Sequence, residues 1–170
     1  NDGKYAAIIN VEDDSDVMVT VKKKDHAFDS KIITKEEIAK TEVKKDVGLS
    51  VKKMELGKAF TINDILYATA SYELNNRSKF ILRGFARFVK ENPKSKVTIQ
   101  GHTDDTGNDK TNLKLSENRA KGVMAYLVSQ GVSKDRLKSQ GFGETKPKVK
   151  NDSEANRAIN RRTDFVIDAL

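Results

Sequence analysis

Residues 101–119 constrain the fold most, because they combine the end of a strand, a loop and the start of a helix. The preceding residues 96–100 alternate in polarity and are rich in β-branched side chains, which predicts a strand. Residues 101–109 are turn formers, so Asp104 is expected just past the strand end.

A helix is predicted from Asn112 onward, because apolar residues recur there at helical spacing and Gly131 follows as a C-cap. Asn112, Leu115 and Arg119 share one face of this helix. Asp104 and Arg119 thus set an acid and a base 15 residues apart, a combination that suits a zwitterionic ligand. Taken alone, the pair is more typical of a surface salt bridge of little energetic value.

The rest of the second part of the chain alternates between strand and helix patterns. Strands are predicted at residues 62–67, 97–101, 137–141 and 163–168, and helices at residues 78–92 and 111–130. This order predicts an α+β fold, a two-layer βαβαββ domain with its helices packed on one face of a mixed sheet.

The first part of the chain has a different character. Short β segments are expected at residues 5–10, 17–22 and 30–33, and a few such strands are marginal alone. We therefore expect a β-rich segment at residues 1–34, a charged linker at 35–59 and a folded domain at 60–170. The chain begins at Asn1 with no visible signal peptide or membrane-spanning run, so any membrane attachment is expected through parts outside it.

The positive charge of the chain lies in its second part. Residues 1–59 carry 12 Lys and Arg against 12 Asp and Glu, whereas residues 60–170 carry 20 against 13. A basic domain favours anionic partners. Nucleic acid is not expected among them, because aromatic residues are few and no base-stacking or groove-reading motif accompanies the lysines.

Catalysis is not expected, since the chain has no cysteine and only two histidines, His26 and His102. No nucleophile with a base, poised carboxylate pair or metal cluster is assembled. His102 abuts the acid loop without a second histidine nearby, so neither a metal site nor a cofactor is predicted. Binding is the simpler interpretation.

Two ordered sequence blocks resemble the OmpA-like peptidoglycan-binding family, and the resemblance covers roughly residues 60–170. The first block consists of Thr103, Asp104, Gly107, Asn112, Leu115, Ser116, Arg119 and Ala120. The second consists of residues 141–144, Pro147, Asn151, Arg157 and residues 160–162, followed by a strand-like segment.

The resemblance implies non-catalytic binding of peptidoglycan through the diaminopimelate residue of the stem peptide. Asp104 would hold the ammonium group of diaminopimelate and Arg119 its carboxylate, for which the guanidinium offers two parallel hydrogen bonds. The other implied ligand contacts are Thr103 as a donor, Asn112 as a hydrogen-bonding group, Leu115 against the aliphatic stem, and Arg162. The sequence departs from many family members at Ala68 and Ala70, where polar residues are common, and Tyr67 or Thr69 could compensate.

The implied setting is the periplasm, in association with the outer membrane, where the domain would anchor an envelope protein or complex to the cell wall. The opening of the chain resembles the end of a carboxypeptidase-regulatory-like β module, which favours a multidomain lipoprotein or a secretion-system tether. The alternative function is a protein–protein interaction module of an envelope assembly, with a basic surface and no specific peptidoglycan pocket.

Overall fold

The computed structural model describes residues 17–21, 29–33, 56–62, 65, 67 and 71–169. Its first elements are the strands β1 (Val17–Val21) and β2 (Asp29–Ile33), which pair in antiparallel fashion. They match two of the three predicted N-terminal segments, and the third, at residues 5–10, lies outside the described residues.

The second part of the chain forms a four-stranded mixed sheet with helices. In chain order its elements are β3 (Ala59–Thr61), α1 (Asn76–Glu91), β4 (Lys96–Gly101), α2 (Asp109–Ser129), a 3₁₀ turn (Lys134–Arg136), β5 (Leu137–Gly141), α3 (Glu154–Asn160) and β6 (Thr163–Ala169). The strand order is β3-β6-β4-β5, in which only β4 and β5 are parallel. The predicted α+β fold is confirmed.

One face of this sheet is apolar and carries the core. Ile99 lies opposite Phe165 and Val97 opposite Ile167 in the β4–β6 ladder, and all four side chains are buried. Phe85 of α1 packs on Phe165 with 4.7 Å between ring centroids. The helices therefore cover this face, as the order of strands and helices predicted.

Alternate residues of a strand point to opposite sides of the sheet, and the other face carries polar side chains beside the buried Val166. Thr98 Oγ1 donates a 2.6 Å hydrogen bond to Asp168 Oδ2 there. None of the helices in the part of the chain that the structure describes is long and apolar enough to cross a membrane.

Two expectations about the elements were wrong in detail. The first strand lies at Ala59–Thr61 rather than at residues 62–67. Thr61 pairs with Asp164 in antiparallel fashion, and β6 begins at Thr163, one residue before Asp164. A strand that continued to residue 67 would therefore run past the start of β6 and have no partner there. The short helix α3 was not predicted, although Ser153 caps it by accepting a hydrogen bond from Asn156 N.

Helix α2 rests directly on the ends of β4 and β5. A Cβ atom on Gly101 would lie 2.2 Å from the carbonyl oxygen of Ser116, and one on Gly141 would lie 2.4 Å from Glu117 N. Ser116 Oγ donates to Leu113 O at 2.7 Å and accepts from Gly143 N at 2.8 Å. These contacts hold the first half of α2 beside the loop that carries Asp104.

Candidate ligand-binding site

The loop after β4 holds the carboxylate of Asp104 through backbone contacts. Thr103 N donates to Gly143 O at 2.9 Å, and Thr106 N donates to Asp104 Oδ1 at 3.2 Å. Gly107 turns the loop with a φ of 106°, a conformation that side-chain-bearing residues rarely adopt. Asp104 is only 7% exposed, whereas the neighbouring Asp105 faces solvent.

Asn112, on the first turn of α2, ties this loop to the helix. Its Nδ2 donates to Thr106 O at 3.1 Å and to Glu144 Oε2 at 2.6 Å, and lies 3.4 Å from Asp104 O. The side chain was predicted to contact a ligand, and the structure engages its amino group within the protein. Among the described residues, no donor reaches its Oδ1.

Arg119 is buried two turns further along α2, at 4% exposure. Its Nε donates to Ser71 O at 3.0 Å, and its guanidinium carbon lies 4.7 Å from the centre of the Tyr67 ring. Burial lowers the pKa of Arg119, while Tyr67 and Asp104 act in the opposite direction. None of the described residues accepts a hydrogen bond from its two terminal nitrogens.

Arg161 completes the charged cluster, and the sequence did not single it out. Its Nη1 donates to Asp104 Oδ2 at 2.6 Å, and its Nη2 donates to Glu154 Oε1 at 2.7 Å. These two hydrogen bonds raise the pKa of Arg161. The only sequence signal was its place in the Asn160–Arg162 motif, which did not distinguish between the two arginines.

Arg162 lies apart from this cluster. Its Nε donates to Asp164 Oδ2 at 2.9 Å, and its Nη2 donates to Lys146 O at 3.2 Å. Both arginines precede β6, with Arg161 as the C-cap of α3, and their side chains have different partners. The structure does not bring Arg162 to Asp104.

His102 stands beside the acid loop in a buried position. Its ring stacks on Phe142 with 5.4 Å between centroids, and its Nε2 lies 3.4 Å from Asp164 Oδ2. Burial, with a contribution from the Arg162 charge, lowers the pKa of His102 to about 4, so the ring is neutral at pH 7. No group of His, Cys, Asp and Glu that could hold a metal ion occurs among the described residues.

Of the remaining predicted residues, the structure describes Thr103, Leu115 and Tyr67. Thr103 is buried, and its Oγ1 has no hydrogen-bond partner among the described residues. Leu115 is half-buried on α2. Ala68, Thr69 and Ala70 lie outside the described residues, and Tyr67, the other residue expected to compensate there, packs under Arg119.

The sequence and the fold together define a family. The OmpA family profile matches residues 66–161, which is more than half of the chain, and the protein therefore belongs to the OmpA family. The resemblance of its two sequence blocks to OmpA-like domains is confirmed.

Individual relatives agree with this assignment. The chain is 34% identical over 108 residues to the probable lipoprotein YiaD of Escherichia coli K12, a match that covers 64% of the chain and 49% of that protein. It is 40% identical over 98 residues to the peptidoglycan-binding protein ArfA of Mycobacterium tuberculosis H37Rv, covering 58% of the chain and 28% of ArfA. The chain thus spans about half or less of these curated relatives.

A solved structure shares the fold. The crystal structure of the peptidoglycan-associated lipoprotein from Burkholderia pseudomallei superimposes with a TM-score of 0.58 at 31% identity, covering 61% of this chain and 87% of that one. The relatives are named as lipoproteins and peptidoglycan-binding proteins, and none of these names denotes an enzyme.

Proposed function

We propose that the protein binds peptidoglycan without catalysing a reaction, through the zwitterionic end of diaminopimelate in the stem peptide. The names of ArfA and of the peptidoglycan-associated lipoprotein support peptidoglycan as the ligand. The observation that carries the proposal is the buried pair of Asp104 and Arg119, whose charges are close enough to affect each other.

The two charges have complementary roles in this proposal. Asp104 receives the ammonium group of the ligand, and the terminal nitrogens of Arg119 receive its carboxylate. A guanidinium fixed through its Nε is well suited to this task, because its terminal nitrogens are presented in a set direction. The ring of Tyr67 supports the guanidinium from one side.

Three further side chains surround the pair in the proposed complex. Thr103 Oγ1 offers a buried hydroxyl without a partner among the described residues. Asn112 offers its Oδ1 as an acceptor, and Leu115 packs against the aliphatic stem of the ligand. Arg162 stays a candidate from the sequence only, because its guanidinium is engaged by Asp164.

We further propose a periplasmic setting in association with the outer membrane, where the domain anchors its parent protein or complex to the cell wall. The relatives include a peptidoglycan-associated lipoprotein of Haemophilus influenzae and an outer membrane porin F of Pseudomonas aeruginosa, which supports an envelope location. The hairpin of β1 and β2 would be the end of a carboxypeptidase-regulatory-like module, and residues 60–170 the binding domain.

Retention on purified cell wall tests the proposal. Asp104→Ala and Arg119→Ala should each abolish retention on diaminopimelate-type wall, since each strands one ligand charge at a cost of roughly 2 to 5 kcal/mol. Asp105→Ala and Arg87→Ala remove exposed charges of the same kinds and serve as matched controls. Circular dichroism verifies that each variant is folded.

The two function hypotheses give different results in this assay. Wild-type retention by the folded Asp104→Ala and Arg119→Ala variants would contradict the proposed site. Binding that falls steeply with salt, that weakens on loss of either arginine and that strengthens on loss of either aspartate would favour the basic interaction surface instead.

A further inference from the structure

The carboxylate that the proposed function assigns to a ligand ammonium already has a cationic partner. Arg161 Nη1 donates to Asp104 Oδ2 at 2.6 Å, while the other oxygen accepts from the Thr106 backbone. A ligand ammonium must therefore approach Asp104 in the presence of a resident positive charge. Arg161 follows α3 directly as its C-cap and is 57 residues from Asp104 in sequence.

Glu154 gives Arg161 a second partner. Glu154 Oε1 accepts from Arg161 Nη2 at 2.7 Å, and its Oε2 accepts from Arg157 Nε at 3.3 Å. Because Glu154 is exposed and Asp104 is buried, the guanidinium bridges solvent and pocket. Arg161 therefore stays close to the site even when its contact with Asp104 is weakened.

The charges of the site alternate in sign. Asp104 attracts Arg119 electrostatically. Arg161 has the same positive charge as Arg119 and repels it. The buried carboxylate thus has the Arg161 guanidinium in direct contact and the Arg119 guanidinium within electrostatic range. Arg119 and Arg161 together carry one more charge than Asp104 can neutralise, and the remaining partner, Glu154, is exposed to solvent.

We propose that Arg161 is a specificity-determining residue, which disfavours ligands that bring an ammonium group without an adjacent carboxylate. The proposal rests on the proposed function of the Asp104 and Arg119 pair. For a lone ammonium, such as a lysine side chain, the Arg161 charge is purely repulsive. For the zwitterionic end of diaminopimelate, repulsion of the ammonium is offset by attraction of the carboxylate.

Binding of two stem peptides tests this role. Peptides with diaminopimelate or lysine at the third position are titrated by calorimetry into wild-type protein, Arg161→Gln and Arg161→Lys. Arg161→Gln should tighten lysine-peptide binding about tenfold while changing diaminopimelate-peptide binding by less than about threefold. Arg161→Lys keeps the charge and should keep most of the discrimination.

Arg157→Gln is the matched control, because Arg157 contacts Glu154 from the same helix without reaching Asp104. Its selectivity ratio should equal that of the wild type. A thermal melt of every variant separates a loss of fold from a change in binding.

Two results would overturn the inference about Arg161 without contradicting the proposed function. In one, wild type and Arg161→Gln bind diaminopimelate peptide and show the same selectivity ratio. In the other, the folded Arg161→Gln variant loses affinity for both peptides alike, which would make Arg161 a mere support for Asp104. Wild-type protein that binds neither peptide would contradict the proposed function itself, and the inference with it.

Discussion

Arg136 Nη2 donates a 2.7 Å hydrogen bond to the carbonyl of Val89, in the last turn of α1. The same guanidinium donates to Asn92 O at 2.6 Å and to Ser95 O and Oγ at 2.9 and 2.8 Å. A helix C-terminus leaves carbonyl groups without intrahelical partners, and a cation there is favourable. Arg136 thus joins the end of α1 to the start of β5.

Arg136→Ala should lower the free energy of unfolding by about 2 to 4 kcal/mol, because several charge-assisted hydrogen bonds are lost together. Arg136→Lys should recover only a fraction, since a single ammonium cannot span these acceptors. Urea unfolding measures both, with the exposed Lys138→Ala as the control. An Arg136→Ala variant as stable as the control would contradict this role.

Acid should destabilise the fold through His102. Its pKa is lowered to about 4 in the folded protein, below the usual 6.5, so the unfolded chain binds the extra proton first. Stability from this residue is complete above pH 6.5 and is lost as the pH falls towards 4, by roughly 3 kcal/mol at most.

The groups that face the His102 ring set the size of this effect. Burial and the charges of Arg162 and Lys146 disfavour protonation, whereas Asp164 favours it. His102→Gln should flatten the rise in stability between pH 4 and 6.5, as measured by urea unfolding at several pH values. If the pH dependence of the free energy of unfolding is unchanged in this variant, groups other than His102 cause the loss of stability in acid.

The contact between α2 and the sheet should not tolerate a methyl group at Gly101. A Cβ atom there would lie 2.2 Å from Ser116 O, a backbone atom that can move only with the helix. Gly101→Ala should cost about 1 to 3 kcal/mol or more and should weaken peptidoglycan retention, because α2 carries Arg119.

Gly122→Ala is the internal control for this substitution. Its Cβ would meet only Tyr72 O at 3.5 Å, an ordinary contact, so the gain in helix propensity should stabilise the protein by about 0.5 to 1 kcal/mol. Thermal melts compare the two variants. Equal effects would argue against the close helix–sheet contact at Gly101.

Residues 60–170 should fold without the first part of the chain. Every buried residue of the core in the described part of the chain lies between Ile62 and Ile167. Removal of residues 1–50 should leave the melting temperature nearly unchanged, since it also retains the hydrogen bond from Gly57 N to Ile167 O. Loss of the cooperative transition would place the opening strands in the same core.

Local sequence patterns were sufficient to predict the elements that form the site. The apolar periods of α1 and α2 and the alternation in β4 depend on neighbours within a few residues, so they predict helix, strand and loop directly. The strand end also predicted that Asp104 lies in the following loop, and the helix period grouped Asn112 with Arg119 on one face of α2. All three residues are buried.

The partners of these residues depended on the tertiary structure. Asp104 meets Arg161 and not Arg162, a choice between two adjacent arginines that depends on how the segment between α3 and β6 lies against the loop. The pairing of β3 with β6 limits β3 to Ala59–Thr61, and the packing of α2 on β4 and β5 explains why position 101 is a glycine. Contacts between residues far apart in sequence arise only when the sheet and helices assemble, so no local pattern could reveal them.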